Sequence, residues 1–303
     1  MNWFLLALIA PAIFSISGHI DKYLLSKYFK NVGAGTLIIF SSLIGLFVLP
    51  VILVIEPDVF SINIGNAALI IFNGVLYLIG LMPYLYALAK DEASTVLPIF
   101  QTIPVFSYVL AFLVLGEQLT VIQIAASLLM ILGAVIISLD LLAAKLRFKW
   151  SVFWLMLLAS FIFAINTLIF KFVAIKESFW VTSFWEYIGF VLFAIFLFIF
   201  ATSYRKEFVA IMRQHNISIL SINAFNEIIN IIGKAVFNFA TLLAPLALVS
   251  AVNGFQQAFI FIYGIILTLF FPSLGRESLI KKHLAQKLIA ISIMLAGTYL
   301  LNL

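Results

Sequence analysis

Uncharged apolar runs of about twenty residues, set apart by short clusters of charged and turn-forming residues, recur along this chain from one end to the other. That length suits a helix rising 1.5 Å per residue through roughly 30 Å of hydrocarbon. The runs fall at 2–20, 33–55, 66–89, 93–115 and 119–139, then at 151–173, 179–203, 217–242, 245–271 and 285–303. Their apolar positions are continuous rather than alternating, so a β-barrel is excluded and ten transmembrane helices are predicted. The fold class is an all-α membrane protein.

Composition agrees with the pattern. Of 303 residues, 65% are hydrophobic, far more than one soluble core would absorb. The net charge of +5 does not point to nucleic acid, because the basic residues sit in clusters between apolar runs, where membrane topology explains them. With no cysteine, disulfides, thiolate metal sites and a Cys nucleophile are ruled out. The first run lacks a basic leader and is too long for a signal-peptide core, so it reads as the first span.

Sorting every Lys and Arg by loop gives a lopsided result. Fourteen fall on the face reached after the odd-numbered spans, and only Lys171 and Lys176 on the other, with Lys234 inside a span. By the positive-inside rule the odd-numbered loops are cytoplasmic and both termini lie outside.

The chain also aligns with itself. An offset of 153 pairs Asn73 with Asn226, Gly80 with Gly233, Ala87 with Ala240 and Val96 with Val249. An offset of 149 pairs Ala10 with Ala159, Phe14 with Phe163 and Lys22 with Lys171. Offsets of 144 and 164 carry Gly45 to Gly189, Met130 to Met294 and Gly133 to Gly297. The expected domains are a five-helix repeat over 1–140, a cytoplasmic linker over 141–150 and a second five-helix repeat over 151–303. Because five is odd, the second repeat enters the membrane from the opposite side, giving two inverted repeats. Secondary transporters recurrently use this device to expose a central site to each face in turn; duplication for stability alone is the plainer alternative.

Span 8 carries the chemistry. Asn223, Glu227, Asn230, Lys234 and Asn238 follow one another at steps of 4, 3, 4 and 4 and share one helical face, bordered by Asn226. An ionised side chain near mid-bilayer costs about 2.5 to 3.5 kcal/mol on insertion scales, so this face does not meet lipid. Glu227 and Lys234 are two turns apart, roughly 10 Å along the axis, and need other partners. Glu186 in span 7 lies at a depth similar to Lys234. Asn73, Tyr77, Gly80 and Tyr84 occupy the corresponding region of span 3, so the site is expected to be asymmetric. Gln101 and Thr102 in span 4, beside Pro98 and Pro104, and Asn253, Gln256 and Gln257 in span 9 add mid-depth amides, for which helix–helix bonding competes with solute contact. The plain alternative for span 8 is an ion-pair network that only specifies packing. His19 and Asp21 read as interfacial, and Lys22 and Lys171 as snorkelling.

HIDKYLLSKY at 19–28, YALAKDEASTVLPIFQTIPVF at 86–106, LGEQLT at 115–120 and ILGAVIIS at 131–138 resemble the drug/metabolite transporter superfamily, in particular its EamA family. Ala93, Ser94, Pro98, Gly116 and Glu117 carry that pattern, and PLALVSAVNGFQQ at 245–257 is a diverged counterpart without the Gly–Glu pair. The resemblance implies a basket of helices around a central cavity, with spans 5 and 10 outside it, and movement of small metabolites, often as efflux. It also implies cytoplasmic termini, from which the charge bias of this sequence departs.

The reading that results is a secondary transporter, an exporter of a small polar solute, amino-acid-like or carboxylate-bearing, working by alternating access in the plasma or inner membrane. Its partners are the solute, membrane lipid and a coupling proton; no cofactor, metal or nucleic acid is expected. The candidate solute-binding residues are Glu227, Lys234, Asn230, Asn223, Asn226, Asn238, Glu186, Asn253, Gln256, Gln257, Gln101, Asn73 and Tyr77. A flippase of a lipid-linked molecule is the main rival. A membrane-embedded enzyme is disfavoured, because no zinc motif or Asp-rich cluster appears and His19, His215 and His283 lie at loops or span ends.

Overall fold

A computed structural model describes residues 3–27, 34–90, 97–138, 150–214, 217–271 and 281–301. Helices account for nearly all of them, and none of the described residues lies in a strand. The first half of the chain forms α1 (Trp3–Lys27), α2 (Ala34–Ile55), α3 (Ile64–Lys90), α4 (Ile103–Leu115) and α5 (Val121–Ser138). The second forms α6 (Trp150–Ala174), α7 (Phe179–Phe200), α8 (Thr202–Gln214), α9 (Ile217–Leu243), α10 (Leu246–Val252), α11 (Gln256–Phe270) and α12 (Lys281–Leu301). Nearly all of the expected linker falls outside the described residues, as do Ala93 and Ser94.

Seven stretches are long and apolar enough to cross a membrane. They lie in α1, α2, α3, α6, α7 and α12 and across α10–α11 together, while Ile99–Leu115 and Val121–Ile136 are shorter apolar helices. At 27 residues α9 has the length to cross, but its run is diluted by Asn, Glu and Lys. Large apolar side chains face outward over much of the surface, Phe47, Val54 and Leu113 among them at 76%, 82% and 71% exposure. A lipid-facing exterior accounts for this.

Helices from the two halves interleave. α9 runs along α1, α6 along α3, α7 along both α2 and α3, and α12 along α5. Two contacts occur twice with the same residue types. A Cβ on Gly80 would lie 3.3 Å from Phe163, and one on Gly233 would lie 2.7 Å from Phe14. Likewise a Cβ on Gly133 would strike Met294, and one on Gly297 would come within 3.0 Å of Met130. These are the glycine, phenylalanine and methionine pairs that align when the chain is laid over itself.

Spans 4 and 9 depart from the continuous helices expected of them. Span 4 starts as a 3-10 turn over Leu97–Thr102 before α4, and span 9 is broken by a 3-10 turn over Asn253–Phe255 between α10 and α11. Gln101 and Gly254, which the offset of 153 equates, both sit in these breaks. Pro104 has no N–H to donate to the ladder, which fits a helix beginning at Ile103. Gly116 ends α4 in the left-handed region at φ 67°, with its N–H bonded to the Ala111 carbonyl.

The sequence predicts a polar loop after span 7, yet α8 forms there. Its apolar residues Tyr204, Phe208 and Ile211 recur at helical spacing and pack against α2, α7 and Leu24. Thr36 Oγ1 donates to the Glu207 carboxylate at 2.8 Å, and the Tyr86 and Tyr204 hydroxyls lie 3.1 Å apart, so α8 is fastened across the ends of α2 and α3.

Candidate functional site

The polar face of α9 turns into the bundle, and its two charges go to different neighbours. Lys234 Nζ lies 3.0 Å from Oε2 and 3.1 Å from Oε1 of Glu186 on α7. Glu186 is 1% exposed. Its Oε1 also accepts from Asn73 Nδ2 of α3 at 3.1 Å and from Asn166 Nδ2 of α6 at 3.2 Å. The two asparagines exchange bonds as well, each donating to the other's backbone carbonyl at 3.1 and 3.0 Å. Aromatic rings cover the ammonium, with Tyr77 at 4.6 Å and Phe190 at 5.5 Å from centroid to Nζ. Lys234, Glu186, Asn73 and Tyr77 are thus brought together. Asn166 completes the cluster, and sequence reasoning missed it. The one signal was an amide interrupting the apolar run of span 6.

Two glycines make this cluster possible. A Cβ on Gly74 would strike the Glu186 carbonyl, and one on Gly189 the Ile71 carbonyl, so α3 and α7 touch backbone to backbone. Asn73 reaches the carboxylate because nothing stands between those helices.

The second cluster joins α9 to α1 and α2. Asn226 Nδ2 donates to Asp21 Oδ1 at 2.6 Å, and Ser41 Oγ donates to Glu227 Oε1. Asp21 therefore belongs to a helix contact rather than to the interface alone. Asn226 is fully buried with its Oδ1 unpartnered, and Glu227 meets a hydroxyl but no cation among the described residues. His19 Nε2 sits 3.0 Å from the Ile260 carbonyl of α11.

The amides of spans 4 and 9 gather around the two helix breaks. Gln101 is 8% exposed, and a Cβ on Gly254 would lie 3.0 Å from its Oε1. Asn253 Oδ1 is buried without a partner. Ser15 Oγ donates to the Gln256 carbonyl at 2.9 Å, and Ser250 to Ser107 at 3.3 Å. Asn223 and Asn238 are buried, while Asn230, Gln256 and Gln257 are half-buried. None of these five side chains bonds to Glu186, Lys234 or Glu227 among the described residues.

Lys171 corrects an expectation. Instead of snorkelling it is 6% exposed, forms an ion pair with Glu117 and donates to the Ala244 carbonyl at 2.8 Å. Glu117 Oε2 in turn accepts from the Leu246 N–H at 2.7 Å, so the carboxylate after α4 caps α10. No group of three or more His, Asp or Glu among the described residues is arranged to hold a metal.

Residues 1–139 match the EamA-like transporter family. That EamA-like stretch takes in α1 to α5 together with Asp21, Ser41, Asn73 and Gln101. A protein solved by crystallography has a similar fold, with a TM-score of 0.62 over 98% of this chain and 94% of its own, at 11% identity. The likeness in fold therefore extends beyond the EamA-like half. No curated protein matches the sequence. The apolar helices make this an integral, multi-pass membrane protein, and its first half is similar to a family of small-molecule transporters.

Proposed function

We propose that the chain is a secondary transporter with ten membrane crossings in two inverted five-helix repeats, over 1–140 and 151–303, which exports a small polar solute by alternating access. The repeated Gly80–Phe163 and Gly233–Phe14 contacts support the inverted pairing, as do the matched breaks at Gln101 and Gly254. A segment that leaves α-helical geometry within a span supplies carbonyls for binding and a point of bending.

The observation that carries the reading is the unequal treatment of two carboxylates, Glu186 facing α9 and Glu227 on it. Glu186 is saturated by Lys234, Asn73 and Asn166, whereas Glu227 is held only by a serine hydroxyl among the described residues. A carboxylate kept in a membrane bundle without a cation is a receptor for one, either an amine or a proton. An amino-acid-like solute of extended form fits: its amine sits at Glu227, and a carboxylate roughly two turns away competes with Glu186 for Lys234. Asn230, on the same face between them, orients it. Asn223, Asn226, Asn238, Gln101, Asn253, Gln256 and Gln257 line the route, and Tyr77 shields the ammonium.

The test is uptake by proteoliposomes across a panel of amino acids and carboxylates, with and without a pH gradient, for the wild type and Glu227→Gln. The variant keeps the hydrogen bond to Ser41 but loses the charge. Expected is loss of transport of amine-bearing solutes together with the response to the gradient. A folded variant that carries every accepted solute at the wild-type rate with an unchanged gradient response overturns the assignment.

A further inference from the structure

α8 has two faces, and only one is used by the fold. Tyr204, Phe208 and Ile211 bury one against α2, α7 and Leu24. Arg205, Lys206 and Arg213, with Val209 and Ala210 between them, line an open cavity of about 440 Å³ on the other. No carboxylate or other side chain among the described residues pairs with these three cations. A single residue, Ala201, separates α8 from α7, whose last residues Ile199 and Phe200 are 53% and 70% exposed. The cavity therefore sits where the lipid-facing surface of α7 ends.

We propose that this cavity binds the headgroup of an anionic phospholipid. Arginine forks match phosphate oxygens bidentately, and lysine adds a mobile charge. Three cations sharing one cavity repel one another unless an anion lies among them. Topology bias alone asks only for positive charge on this side of the membrane; it does not ask for convergence on an apolar floor. Val209 and Ala210 give a glycerol backbone a surface to rest on, and Ile199 and Phe200 lie where its chains begin. Free inorganic phosphate has no use for either, so the lipid is the occupant. Bound there, the lipid fastens α8, and through it the short connections from α7 and into α9, to the membrane surface.

The full-length protein in neutral detergent is titrated with phosphatidylglycerol, with phosphatidylcholine and with inorganic phosphate, and retained lipid is read by native mass spectrometry beside the thermal midpoint. Phosphatidylglycerol should be retained and should raise the midpoint, and the other two should not. Each basic side chain near an anionic surface contributes roughly five-fold to binding, so Arg205→Ala/Lys206→Ala/Arg213→Ala should lose affinity on the order of a hundred-fold. The charge-keeping variant Arg205→Lys/Arg213→Lys should retain most of it, and Lys282→Ala on α12 should match the wild type. Equal retention of the two lipids overturns the proposal, as does protection by inorganic phosphate alone, a triple variant that binds like the wild type, or a loss at Lys282→Ala as large as in the triple variant. Should the triple variant fail to fold, Arg213→Ala alone decides by the same criteria, with a loss of about five-fold expected.

Discussion

Glu186 on α7 and Lys234 on α9 meet at 3.0 Å inside the bundle, with Asn73 and Asn166 completing the carboxylate's bonds. Two charges spared from water in this way are stable as a pair and costly apart. Removing one partner of a buried pair costs about 3 to 5 kcal/mol, whereas removing both charges is often close to neutral.

Lys234→Met alone should therefore lower the thermal midpoint in detergent sharply, and Glu186→Gln by a similar amount. The double variant should recover most of the loss. Unfolding followed by tryptophan fluorescence checks this, and additive losses in the double variant would contradict the pairing.

Asn166→Ala tests the residue that the sequence concealed. It removes one donor to Glu186 and the bond to the Asn73 carbonyl, leaving buried acceptors short by about 1 to 3 kcal/mol. Asn166→Asp should be worse, because it sets a second carboxylate beside the first. The same melting measurement, run on both variants, checks the order.

Backbone contact between α3 and α7 makes Gly74 and Gly189 intolerant of side chains. Gly74→Leu and Gly189→Leu should each abolish a folded, monodisperse peak in size-exclusion chromatography. Gly18→Ala, where an added Cβ meets nothing within 4 Å, should elute like the wild type.

Glu117→Gln keeps the cap on α10 but leaves Lys171 charged, buried and held only by the Ala244 carbonyl. Destabilisation of about 3 kcal/mol or more is expected. Glu117→Gln/Lys171→Met should be milder than Glu117→Gln alone, as read by thermal denaturation.

Periodicity made the spans legible, because a helix buried in hydrocarbon must be apolar over its whole length. The inward face of α9 was legible for the same reason, since four amides and two charges at helical spacing cannot meet lipid. The partner of Lys234 followed from depth, as Glu186 is the acidic residue of the neighbouring span at that level. Partners at long sequence separation were not readable. Lys171 resembles a snorkelling lysine until Glu117 is seen to arrive from the end of α4. The breaks at Gln101 and Asn253 were hidden because a 3-10 turn uses the same residue types as the α-helix around it. α8 was hidden because its mean polarity is that of a loop, and only the spacing of Tyr204, Phe208 and Ile211 betrays it.

At position 227 a carboxylate stands where the self-alignment puts Gly74, and Gly45 stands where it puts Gly189. α3 and α7 cross on bare backbone, while α9 meets α2 through a side chain. The two halves therefore differ by one residue's bulk, that of the Glu227 carboxylate through which α9 reaches Ser41 on α2.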